Sequence, residues 1–162
     1  MKRWWSMTMA AGLACVTAGA WAQDTAVTTE AAPPPGYDAA LAQQLGADDY
    51  GMRSYVLVIL KSSGTPVPAG DRRDAMFRGH FANMQRLAKA GTLVLAGPLD
   101  GVDGWRGLFV LAVDGVEAAK AIVATDPVIS EGEMVAEYHS YYGSAALMTV
   151  NDLHGKLARK AL

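Results

Sequence analysis

The stretch Asp71 to Pro98, DRRDAMFRGHFANMQRLAKAGTLVLAGP, decides how the rest of the chain is read. It reads as one amphipathic helix, a glycine stop at Gly91 and one strand. At 3.6 residues per turn, Phe77, Phe81, Met84, Leu87 and Ala88 share one side, and Arg78, Gln85, Arg86 and Lys89 take the other. His80 lies inside the apolar stripe, one turn from both Phe77 and Met84. A polar ring aimed at a core is either a hydrogen-bonded structural histidine or the centre of a site.

Outward from this stretch the pattern is regular. Ser54 to Leu60 (SYVLVIL) is a bounded β-branched and aromatic run, hence a first strand, closed by Ser62-Ser63-Gly64. A Pro/Gly loop then leads to the helix, which Asp71 or Asp74 is expected to cap. Thr92 to Ala96 is a second strand and Leu108 to Val113 a third, joined by a hairpin connection holding Gly101 and Gly104. Val116 to Thr125 is a second helix, broken at Asp126-Pro127. Met134 to Tyr142 is a last strand, and an amphipathic helix follows from about Asp152. The order is β-α-β-β-α-β, the ferredoxin-like α+β arrangement with an antiparallel four-stranded sheet and extra segments at both ends.

The N-terminus stands apart from this fold. Lys2 and Arg3 precede a small, apolar run from Met7 to Ala20, and Ala20-Trp21-Ala22 supplies an A-x-A cleavage pattern. Residues 1–22 are expected to be an export signal cut after Ala22, placing the protein in the periplasm or outside the cell. Two cations and the single cysteine, Cys15, leave with it, so no disulfide supports the fold. Residues 23–36 form a linker with three consecutive prolines. Residues 37–52 form an N-terminal extension in which Asp38 caps a short helix, Ala39 to Leu45, closed by Gly46. Residues 53–147 then carry the domain and 148–162 a helical tail.

The net charge of −2 argues against nucleic acid or an anionic membrane surface as partner. The strands suggest a different partner. An antiparallel sheet with one wet face alternates apolar and polar residues, yet the first three strands are apolar at nearly every position. Two helices cover only one face, so a second copy of the sheet is expected to cover the other, giving a homodimer.

Metalloprotease, paired-cysteine, phosphate-loop and nucleophile-elbow motifs are all missing from the sequence. No motif requires a cofactor or a metal. His80 is the leading candidate for chemistry. Gly79 precedes it inside a helix, where glycine costs about 1 kcal/mol against alanine unless the space is needed. Phe77, Phe81 and Met84 would wall an apolar pocket for a small-molecule ligand. Asp126 is the candidate partner, although Asp-Pro is also an ordinary helix start. Both helices of a ferredoxin-like unit lie on one face of the sheet, which makes a His80–Asp126 meeting feasible; spacing along the chain leaves it open. His80, His139 and a carboxylate form a weaker metal-binding alternative.

Three blocks, RGHFANMQRLAKAGTLVLAGP, TDPVISEG and EYHSYYGSAAL, resemble YciI-type (YCII-related) proteins in content, order and spacing. The resemblance spans Arg53 to Leu147. The lead-in LGADDYGMRSYVLVILK and the tail YGSAALM resemble an exported, longer subgroup. The resemblance implies a ferredoxin-like fold, dimerisation through the sheets as a dimeric α/β barrel, and a His–Asp pair in a cleft that maps onto His80 and Asp126. It implies acid–base chemistry of isomerase or lyase type, with a non-catalytic ligand-binding or stress-associated dimer as the alternative.

Overall fold

The computed structural model describes residues 32–160; the expected signal and residues 23–31 of the expected linker lie outside them. Helix α1 (Ala39–Leu45) begins where the Asp38 carboxylate accepts the Leu41 N–H at 3.0 Å and ends at Gly46, whose φ of 67° is left-handed. Strand β1 (Met52–Ser62) follows, then α2 (Asp71–Lys89), β2 (Leu93–Pro98) and β3 (Trp105–Leu111). Helices α3 (Val116–Val123) and α4 (Pro127–Ser130), strand β4 (Met134–Ser144) and helix α5 (Val150–Leu157) complete the order. The sheet runs β2-β3-β1-β4, every neighbouring pair antiparallel. This is the expected ferredoxin-like arrangement, as an open four-stranded sheet.

Alternation along β1 assigns its two faces. Val56, Val58 and Leu60 pack with Phe109 and Leu111 of β3 beneath the helices, which contribute Met76, Leu87, Ala119, Val123 and Val128. Burying each of the larger of these side chains is worth about 1.5–3 kcal/mol. On the opposite face Tyr55, Val94 and Val110 form a second buried cluster, packed against Leu147 and Met148. Those two come from a 3-10 turn, Ala145–Thr149, ahead of α5. The sequence expectation assigned the cover of this face to a second copy; over the part that holds Tyr55, Val94 and Val110, the chain's own C-terminal segment supplies it. The β4 part stays open, with Val135 50% and Tyr141 39% exposed.

Two local expectations are corrected. The residue preceding α2 is Gly70, with no side-chain cap, while Asp71 and Asp74 occupy the first turn. There they meet the positive end of the helix dipole and stabilise the helix without capping it. The buried stripe of α2 is also rotated from the one expected. Met76, His80 and Leu87 are the buried residues, and Phe81 is 51% exposed. The helix turns His80 toward the sheet and toward the Asp126-Pro127 turn, which carries Phe81 outward. At its C-terminus the Thr92 N–H returns to the Leu87 carbonyl and the Gly91 N–H to the Ala88 carbonyl, closing α2 as its glycine predicts.

Candidate functional site

The site is assembled from α2 and the turn that starts α4. Asp126 is the N-cap of α4 with Pro127 at the first helical position, and its Oδ1 accepts the Val128 N–H at 3.1 Å. The same Oδ1 lies 2.8 Å from His80 Nδ1. Its Oδ2 accepts from Asn83 Nδ2 at 3.0 Å, and Asn83 Oδ1 in turn accepts from Arg86 Nη2 at 2.7 Å. His80 is 8% and Asp126 1% exposed. The carboxylate that starts α4 is therefore also the one that contacts His80.

The Val128 N–H and Asn83 Nδ2 both donate to the Asp126 carboxylate, and the tautomer that completes this set as a third donor is the one with the proton on His80 Nδ1. In that tautomer Nε2 holds the lone pair; it has no hydrogen-bond partner among the described residues, and the side chain keeps 10% of its surface exposed. A histidine held at one nitrogen by a buried carboxylate and open at the other can accept a proton there.

Aromatic rings fix the imidazole plane. Phe109 of β3 stacks on it at 6.0 Å between centroids, Phe81 leans on it at 5.4 Å, and Phe77 meets it edge-on at 6.4 Å. Gly79 explains how α2 approaches so closely. A Cβ there would stand 3.0 Å from Pro127 Cγ, so the missing side chain is what lets α2 lie against the Asp-Pro turn.

Of the residues proposed from sequence to contact a ligand, Phe77 is half-buried beside His80. Phe81 and Met84 line an open groove of about 850 Å³ between α2, β2 and α5. His80 is not among the groove's described lining residues, but Phe81 touches both. His139 is not brought to His80. It lies on the opposite face of the sheet, opposite Leu57 of β1, with Nε2 at 2.8 Å from Glu137. The His80–His139 metal alternative is set aside on that placement. Among the described residues no cluster of three or more His, Cys, Asp or Glu is arranged to hold a metal.

The sequence reading missed Asn83, Phe109 and an ion pair behind the site. Asn83 is three residues from His80 on the same helix face, a spacing that was available to find it. The ion pair joins Arg73 of α2 to Glu133, which precedes β4, at 2.5 Å. The Arg73 guanidinium also lies 4.9 Å over the Phe77 ring. Arg73 first, and then the Val67 N–H and the Arg106 charge, hold the Glu133 carboxyl below its ordinary value against the opposing effect of burial.

With fold and site geometry in view, the class is a ferredoxin-like domain carrying a buried His–Asp pair. The chain belongs to the YCII-related domain family, which matches residues 54–139. No curated protein matches the chain significantly.

Proposed function

We propose that this chain is a small exported enzyme that moves a proton on a small organic substrate, with His80 as the base and Asp126 as the group that orients it. The observation that carries the reading is the 2.8 Å contact between His80 Nδ1 and Asp126 Oδ1, both residues buried, with no partner at Nε2 among the described residues. Nε2 takes a proton from a carbon activated by a neighbouring electron-withdrawing group, and Asp126 stabilises the resulting imidazolium. In an isomerase the electron pair shifts within the substrate and the proton returns at another atom. In a lyase the pair expels a leaving group, which receives the proton. Phe77, Phe81 and Met84 contact the apolar part of the substrate.

Export is supported by the Lys2-Arg3 start, the apolar run and the Ala20-Trp21-Ala22 pattern. Pairing of two copies through their sheets is supported by the open apolar residues on β4.

A thermal-shift screen of small organic acids, ketones and lactones identifies the ligand, which is then assayed for conversion. General-base removal in His80→Gln is expected to slow turnover by about 100- to 10,000-fold with the melting temperature little changed. Full turnover by that variant would exclude the acid–base role. A ligand-binding domain without catalysis is the second reading, favoured by the fact that the groove's described walls do not include His80. In that case the ligand is bound and released unchanged by wild type and variant alike.

A further inference from the structure

The groove between α2, β2 and α5 gathers cations in excess of acids. Lys89, Arg159 and Lys160 line it, and none of the three forms an ion pair among the described residues. Asp152 is the only acid among its described lining residues, in a chain that carries more acids than bases overall. Its interior is apolar, with Met84, Leu93 and two large side chains left open, Phe81 and Leu95. Large apolar side chains exposed inside a concavity of this size mark a binding site rather than scattered surface. The far wall is pre-formed, because Asn151 Nδ2 donates to the Leu93 carbonyl at 2.8 Å and ties α5 to β2. Gly155 on α5 leaves open space where a Cβ would stand.

We propose that this groove binds a soluble amphipathic carboxylate, an acyl or aryl acid. Its apolar body lies on Phe81, Met84 and Leu95, and its carboxylate sits among Lys89, Arg159 and Lys160. A monoanion fits better than a phosphate dianion, because α2 and α5 both end near the cations and their C-terminal partial charges offset part of the field. A free molecule fits better than a membrane surface, because the apolar residues lie inside a cavity. The Phe81 ring, in contact with His80 at 5.4 Å between centroids, stands between the groove and the imidazole. That the bound acid is the substrate rests on the reading of His80 as a base; binding itself does not.

The test uses the full chain titrated with decanoate, decanol and decyltrimethylammonium, each below its micelle concentration, followed by calorimetry and by the methyl resonances of Met84 and Leu95. Decanoate is expected to bind and shift both residues, decanol to bind about tenfold more weakly, and the cation weakest of all. Charge reversal in Lys89→Glu with Lys160→Glu is expected to bring decanoate to the level of decanol and leave decanol unchanged. Equal affinity of wild type for decanoate and decanol would overturn the proposal. So would unmoved Met84 and Leu95 signals, or capture by phosphatidylglycerol vesicles in preference to decanoate. His80→Gln is expected to bind decanoate like wild type, so a failure of the base and a failure of the groove give different results.

Discussion

Asp126 serves two neighbours with one carboxylate, the first turn of α4 and the imidazole of His80. Its geometry depends on a residue without a side chain. Gly79→Ala gains about 1 kcal/mol of helix propensity. The added methyl, however, would press on Pro127 Cγ at 3.0 Å, and Pro127 cannot retreat while its neighbours Asp126 and Val128 are held. Overpacking of this kind costs about 1–3 kcal/mol. The variant is therefore expected to be less stable by about 1 kcal/mol and to show a loosened His80–Asp126 contact, read by urea unfolding and by the imidazole nitrogen shifts. The need for space at Gly79 was legible in the sequence; its occupant was not. The spacing of Asn83 from His80 was legible too; its bond to Asp126, 43 residues away, was not.

Helix α2 illustrates what periodicity tells and what it leaves out. The helix, its glycine stop and the buried position of His80 followed from spacing alone. Its rotation did not, because the facing surface decides it: Met76 replaces Phe81 in the core once His80 and Asn83 turn toward Asp126. The start of the same helix is fastened by the Arg73–Glu133 pair, with Glu133 also accepting the Val67 N–H at 2.8 Å. Because the folded Glu133 carboxyl is held below its ordinary value of 4.5, its contribution is present above that value and is lost as pH falls through the lower folded one. Urea unfolding is expected to show stability declining below pH 4.5, and Glu133→Gln is expected to lack that part of the decline. Arg73→Met leaves the buried Glu133 carboxylate with the Val67 N–H and the more distant Arg106, 3.8 Å away. It is expected to lower the urea midpoint at neutral pH and to reduce the decline below pH 4.5, both read in the same unfolding series.

Across the whole molecule, the succession of strands and helices and the antiparallel sheet were readable from the sequence because the strands are short runs bounded by turn residues and two helical patterns separate them. The cover of the second face was not, because Leu147 and Met148 belong to a short irregular turn with no period to detect. The proposed sheet-to-sheet dimer now has a smaller surface available, centred on Val135 and Tyr141 of β4. Sedimentation at micromolar concentration is expected to give the mass of two chains, with Val135→Lys shifting it toward one; a wild-type monomer would exclude the pairing. The C-terminal cover and the pairing of Met52 with Ser144 also bear on how the chain reaches this state. Strand β1 sits at the centre of the sheet, yet one of its neighbours is the last strand made, and the Tyr55 hydroxyl bonds the Ser144 carbonyl across 89 residues. Loop closure of that length precedes any reward from the contacts it brings. Strand β1 therefore completes its pairing only once β4 is available, and in the proposed export the centre of the sheet stays open until β4 has crossed the membrane.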